Sequence, residues 1–153
     1  MMEMQYRKGG CQMVEEKLLE TIRQGLADEL SAAVNYTQVA AGQTNMGLKK
    51  QFLNYAMEEM SHAQKLLSLL ESWGAEAGKL ELSLFQEPDL LINLIEYVAQ
   101  EESAIFYYEV LEKLHDDEAV KMLCRQVQQE EQRHFKNITA IVNDIKHGDY
   151  DYD

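Results

Sequence analysis

From Val14 onward, apolar residues return every three or four positions. Leu18, Ile22, Leu26, Ala33, Tyr36 and Ala40 form one stripe, the spacing of a single helix face. The stretch from Gly42 to Gly47 interrupts it. A second stripe runs through Phe52, Tyr55, Ala56, Leu66, Leu69 and Leu70 and ends near Trp73-Gly74, where Gly74 suits a helix C-terminus. A third passes through Leu91, Leu94, Val98, Ile105, Tyr108 and Leu111 and stops near His115. A fourth carries Val120, Leu123, Val127, Ile138, Ile141 and Ile145. Asp116 or Asp117 is placed to cap its start, and Pro88 fits the first turn of the third helix, where its missing N–H costs nothing.

The pattern predicts an all-α chain: a flexible N-terminal segment over 1–12, a four-helix bundle over 13–147 and an acidic tail over 148–153. Short turns join helices one and two, and helices three and four, so each pair is antiparallel. The middle connection, residues 74–87, can extend roughly 45–50 Å. A helix of about 22 residues is only about 33 Å long. The connection can therefore cross the whole bundle, which gives up-down-down-up order with one long crossover between helices two and three.

The two halves repeat at an offset of 72 residues without a gap. Ile22 maps to Leu94, Leu26 to Val98, Glu29 to Glu101, Ser31 to Ser103, Ala32 to Ala104 and Tyr36 to Tyr108. In the second helix of each half, Glu58 maps to Glu130, Glu59 to Glu131, His62 to His134 and Leu66 to Ile138. A two-fold pairing of the halves would bring matching residues to one centre.

Acidic residues interrupt these apolar faces. Glu29 lies on the stripe of Leu26 and Tyr36, and Glu101 on that of Val98 and Tyr108. A buried carboxylate without a partner is expensive. One Glu from each of two helices, with a Glu-x-x-His from each of the other two, is a dinuclear carboxylate pattern. The candidate metal ligands are therefore Glu29, Glu59, His62, Glu101, Glu131 and His134. Glu-x-x-His alone is a weak signal, since Glu112 and His115 also match it. In both true pairs a Glu stands 30 residues earlier, whereas the position 30 before Glu112 is Leu82. His115 and His147 read as surface residues at helix ends. Tyr36 and Tyr108 lie two turns beyond Glu29 and Glu101; they are core tyrosines, donors that orient a ligand carboxylate, or both. Glu58, Glu102, Glu109 and Glu130 read as solvated. A metal-free alternative has buried Glu–His ion pairs fixing helix register. It leaves four carboxylates against two imidazoles, an imbalance that a buried site tolerates poorly.

Composition narrows the function. The formal net charge is −13 with no basic cluster, so a phosphate backbone would be repelled and nucleic acid is not an expected partner. The two cysteines, Cys11 and Cys124, form no C-x-x-C pair, so a thiolate zinc or rubredoxin-type iron site is excluded. No run of 18 apolar residues or signal-peptide pattern occurs, so no membrane association is expected and the expected location is the cytoplasm.

The segments Glu101-Glu102-Ser103-Ala104-Ile105-Phe106-Tyr107-Tyr108 and Glu130-Glu131-Gln132-Arg133-His134 resemble the rubrerythrin-like branch of the ferritin-like superfamily. So do Glu29 to Tyr36 and Glu58-Glu59-Met60-Ser61-His62. The resemblance covers roughly residues 14–146 and implies a ferritin-like bundle holding two iron ions, with manganese or zinc as alternatives. It implies Glu59 and Glu131 as bridging ligands, Glu29 and Glu101 as terminal ones, and one histidine per metal. The implied activity is that of an oxidoreductase acting on O2 or hydrogen peroxide, of peroxidase or ferroxidase type, in a homodimer or higher homo-oligomer. The missing C-x-x-C pairs mean that electrons must come from an external donor. Ala104 stands where rubrerythrins place a further Glu, which speaks against their redox-linked ligand switch, and no fifth helix follows Ile145. Iron storage without dedicated catalysis is the alternative of the same fold. A helical interaction module without metal is the alternative outside it.

Overall fold

The computed structural model describes residues 3–149, with side chains from residue 16 onward. Four helices make up its regular structure: α1 (Glu3–Gly42), α2 (Met46–Ser72), α3 (Leu90–Leu114) and α4 (Glu118–His147). The helical backbone of α1 starts at Glu3, ahead of the expected start at residue 13, and continues through Gly9-Gly10. Each of these glycines costs a helix about 1 kcal/mol relative to alanine, which is less than a break requires when helix formers flank both sides. The side chains of the segment expected to be flexible, Cys11 among them, and residues 150–153 of the acidic tail lie outside the described residues.

Local chemistry sets the other boundaries. Asn45 caps α2, its side-chain oxygen accepting from the Gly47 and Leu48 amides at 2.9 and 3.1 Å. Asp117 caps α4 through the Ala119 and Val120 amides. Asp89 caps α3 through the amides of Leu91 and Ile92. Pro88 therefore precedes the cap and does not enter the first turn as expected. The carboxylate next to it satisfies the free amides, which a proline there cannot do. Gly74 and Gly148 end α2 and α4 in the left-handed region, at φ 67° and 72°. The following amides, of Ala75 and Asp149, reach back to the Leu70 and Asp144 carbonyls, the six-to-one bond of a Schellman closure.

The apolar stripes meet in two separate clusters. One contains Tyr36, Val39, Phe52, Tyr55, Leu94, Tyr97, Ile138 and Ile141. The other contains Ile22, Leu26, Leu66, Leu70, Tyr108, Leu111, Cys124 and Val127. Helices α1 and α4 run from the second cluster to the first, and α2 and α3 run from the first to the second. The bundle is thus up-down-down-up, with α2 and α3 parallel.

That direction requires the chain between Ser72 and Leu90 to travel from one end to the other. It runs along α1: Arg23 Nε donates to the Glu76 carbonyl at 2.9 Å, Ser31 Oγ accepts from the Ser83 amide at 2.9 Å, and Asn35 Oδ1 accepts from the Phe85 amide at 3.1 Å. Tyr97 donates its hydroxyl to the Phe85 carbonyl, and Asn93 pairs with the Glu87 backbone in both directions. Leu80 packs on the second cluster and Phe85 on the first. Side chains thus tie the crossover down at Glu76, Ser83, Phe85 and Glu87, giving those backbone groups partners without secondary structure.

Both clusters are needed to hold the four helices in register. Leu66 is fully buried in the second one. Leu66→Ala is expected to lower unfolding free energy by about 2–5 kcal/mol, read as a lower urea midpoint at unchanged slope.

Candidate metal centre

Between the two apolar clusters lies a polar layer, one turn or two from each helix. Glu29 comes from α1, Glu59 and His62 from α2, Glu101 from α3, and Glu131 and His134 from α4. All six are at most 5% exposed. They fall into two groups, each with one ligand atom per residue and all of those atoms within 4.8 Å of one another: Glu29, Glu59, His62 and Glu131; and Glu59, Glu101, Glu131 and His134. Glu59 and Glu131 belong to both groups. The geometry therefore offers two adjacent ion positions bridged by two carboxylates, each closed by one further Glu and one His.

The histidines present Nδ1 to this centre. His62 Nδ1 lies 2.9 Å from Glu131, 3.1 Å from Glu59 and 3.6 Å from Glu29. His134 Nδ1 lies 2.9 Å from Glu59, 3.3 Å from Glu131 and 3.5 Å from Glu101. Several of these approaches are close without hydrogen-bond alignment. His134 Nδ1, Glu59 Oε1, Glu101 Oε2 and both Glu131 oxygens have no hydrogen-bond partner. Orphaned buried polar atoms are costly, and here they converge on two points. Two divalent cations would neutralise the four carboxylates and give every orphan a partner, with hard oxygens and imidazole as a suitable donor set. The residues present thus fit a dinuclear metal site.

Without metal, the charges must be shared differently. Burial pushes the carboxyls of Glu29 and Glu101 well above their usual range, despite the nearby imidazoles of His62 and His134. Burial would also raise Glu131, but the imidazoles of His134 and His62 beside it bring it down to about 2. Burial would lower both imidazoles. The carboxylates close by, Glu131, Glu29 and Glu59 at His62 and Glu101, Glu131 and Glu59 at His134, more than offset that and raise both imidazoles far above their ordinary value.

Two tyrosines complete the centre. Tyr36 donates its hydroxyl to Glu101, and Tyr108 donates to Glu29. Each tyrosine follows one Glu in sequence but serves the Glu of the other half. Tyr36 also packs edge-on against Tyr97 at 5.3 Å, so the core and donor readings of this side chain hold together. Burial pushes both phenols well above 10, with Glu101 adding to the shift at Tyr36 and Glu29 at Tyr108. They remain protonated donors.

Two residues expected to be solvated are not. Glu58 accepts from His134 Nε2 at 2.5 Å, and Glu130 accepts from His62 Nε2 at 2.6 Å. Each carboxylate crosses between α2 and α4 to fix the imidazole of the opposite half. Partial burial, which would raise both, is outweighed by His134 and Arg133 at Glu58 and by His62 and Lys65 at Glu130, so both are lowered. Arg133 holds Glu58 at 2.9 Å, and Lys65 lies 3.9 Å from Glu130. A signal for this existed in the repeat, since Glu58 and Glu130 are mates directly before the candidate ligands Glu59 and Glu131. Helical spacing turns neighbouring residues to different faces, and only the second helix shows what lies there. Glu102 and Glu109 are exposed as expected. His115 stacks on Trp73 at 4.9 Å, and His147 donates to the Asn143 carbonyl, both away from the centre.

A cavity of about 310 Å³ opens between α1 and α3 onto Glu29, Glu59, Glu101 and Glu131. Its walls include Gly25, Ala32, Ala99, Ala104, Ser31, Ser103 and Tyr107. Tyr107 lies so close to α1 that a Cβ at Gly25 would meet its hydroxyl at 2.2 Å. That hydroxyl donates to the Thr21 carbonyl at 3.0 Å.

A four-helix bundle with such a centre defines the ferritin-like dinuclear carboxylate class, and solved structures agree on the fold. A ferritin-like, diiron-carboxylate protein from Bacillus anthracis str. Ames is similar over 83% of this chain and 96% of its own, with a TM-score of 0.75 and 22% identity. The bacterioferritin of Desulfovibrio desulfuricans, solved with its diiron site in different catalytic states, is similar over 88% of this chain and 82% of its own, with a TM-score of 0.78 and 22% identity. No curated protein matches the sequence. The rubrerythrin family model matches residues 20–142, and the chain belongs to the rubrerythrin family. Among the described residues no helix is long and apolar enough to cross a membrane.

Glu58→Gln and Glu130→Gln are expected to weaken metal binding by about 10- to 100-fold each, measured by competition with a chromophoric chelator. The metal-free protein should also lose stability as pH rises. The raised imidazoles stabilise the fold fully below about 6.5 and lose that contribution above it, and the raised Glu29 and Glu101 act in the same direction from about 4.5 upward. Thermal unfolding of metal-free protein should therefore occur at a lower temperature at pH 8 than at pH 5.

Proposed function

We propose that the protein is an oxidoreductase whose dinuclear metal centre, most simply two irons, acts on O2 or hydrogen peroxide in a peroxidase- or ferroxidase-type reaction. One observation carries this reading: two ligand groups share Glu59 and Glu131, and their carboxylates open onto a cavity large enough for a small oxidant. A site meant only to staple helices needs no such opening. When bound, two irons supply two electrons to one oxidant without releasing a radical. The chain supplies the rest. Glu29 and Glu101 hold the outer side of each ion position, oriented by the hydroxyls of Tyr108 and Tyr36. Glu58 and Glu130 hold the imidazoles from behind, which keeps Nδ1 directed at the centre. The apolar clusters on either side exclude water from all but the cavity.

Manganese and zinc suit the same donors, and availability selects among metals. The absence of a C-x-x-C pair among the two cysteines makes the electron donor a separate molecule in this reading. Iron-loaded protein given ferrous ions in air, or hydrogen peroxide with a reductant, is expected to oxidise the added iron or turn over peroxide. Glu59→Ala should lower that rate by more than about tenfold. A wild-type rate no higher than the variant's would remove the catalytic reading. Uptake of far more than two irons per chain in a hollow assembly would replace it with storage.

A further inference from the structure

The cavity between α1 and α3 has a charge pattern that the proposed chemistry does not use. Its lining contains four central carboxylates and two more acidic residues, Asp28 and Glu96, with no lysine or arginine. These two face the cavity from opposite helices. Gln24 Nε2 donates to Asp28 Oδ1 at 2.9 Å, and Gln100 Nε2 donates to Glu96 Oε1 at 3.2 Å. The pairs are repeat mates with acid and amide exchanged: Gln24 maps to Glu96, and Asp28 to Gln100, at the same offset of 72. Each amide holds one carboxylate oxygen. Among the described residues, no lysine or arginine lies within ion-pair distance of either carboxylate. On the cavity floor, Glu59 Oε1, Glu101 Oε2 and both Glu131 oxygens are buried and unpartnered.

We propose that Asp28 and Glu96 form a capture site for divalent metal cations at the mouth of this cavity, from which the ions pass to the four central carboxylates. The proposal rests on the dinuclear centre described above and adds the route by which it fills. A cation at the mouth meets two fixed negative charges, then a floor of orphaned oxygens that bind it more completely. The low-dielectric walls of Gly25, Ala32, Ala99 and Ala104 focus that field. On the side of Glu58 and Glu130 both carboxylates are engaged by histidine, with Arg133 and Lys65 beside them, so they offer a cation less than the mouth does. The same mouth repels organic anions, so the oxidant or substrate using this cavity is neutral or cationic.

The test is the rate at which metal-free protein takes up Co2+, followed by stopped-flow absorbance in the visible region, for the wild type, Asp28→Asn, Glu96→Gln and the double variant. Glu109→Gln, an exposed carboxylate on α3 outside the cavity, controls for net charge. The double variant is expected to load roughly tenfold more slowly at low salt, with the gap closing at high salt, while every protein still binds two ions per chain. Glu109→Gln should load at the wild-type rate. Equal rates for the wild type and the double variant, with two ions bound by each, would overturn the capture site and leave the dinuclear centre standing. Slowing by Glu109→Gln as large as that of Glu96→Gln would reduce the effect to net charge and overturn it as well. A wild type that binds no Co2+ would remove the centre itself.

Discussion

Four carboxylates brought face to face inside an apolar bundle set the terms for everything else in this protein. Glu29, Glu59, Glu101 and Glu131 are nearly inaccessible to water, and at the short separations here their mutual repulsion is large in a low-dielectric interior. Two imidazoles, two phenols and shared protons relieve part of it. Two divalent ions would relieve it all. The consequences reach into the core, which is divided by the polar layer into two clusters that share no buried residue. Each helix contributes to both clusters and to the layer between. Sliding one helix along its axis would therefore misplace apolar contacts at both ends and a charged residue in the middle.

The repeat of 72 residues explains how so symmetrical a centre arises from one chain, and the details show where symmetry is broken. Tyr36 serves Glu101 and Tyr108 serves Glu29; Glu58 serves His134 and Glu130 serves His62. Every supporting contact of this kind crosses from one half to the other, so neither half can assemble the centre by itself. The breaks fall outside the six residues of the polar layer. Gly25 in the first half corresponds to Tyr97 in the second. The glycine gives Tyr107 room against α1, while Tyr97 fills the matching position and holds the crossover at Phe85. Arg133 and Lys65 attend the two outer carboxylates at different distances, so the ion positions beside His134 and His62 are not equivalent.

The helices, the long crossover and the six residues that meet in the polar layer were legible in the sequence, because each rests on a periodic or repeated pattern. The misjudged residues lacked such a pattern. Pro88 looked like a first-turn residue because proline is compatible with that position, yet the adjacent Asp89 offers the amides an acceptor. Glu58 and Glu130 looked solvated because the face they occupy is polar on an isolated helix, and one helix says nothing about what its neighbour presents.

The sequence alone determined which residue types lie on which face of each helix, since the turn of an α-helix converts spacing into direction. It also determined that the two halves match, since a repeat without gaps must fold alike. Only the tertiary structure decided which carboxylates are shared between ion positions, which glutamate holds which imidazole, and where the cavity opens. Those depend on distances between helices far apart in the chain, and these are fixed by packing and by the path of the crossover, which no local pattern encodes.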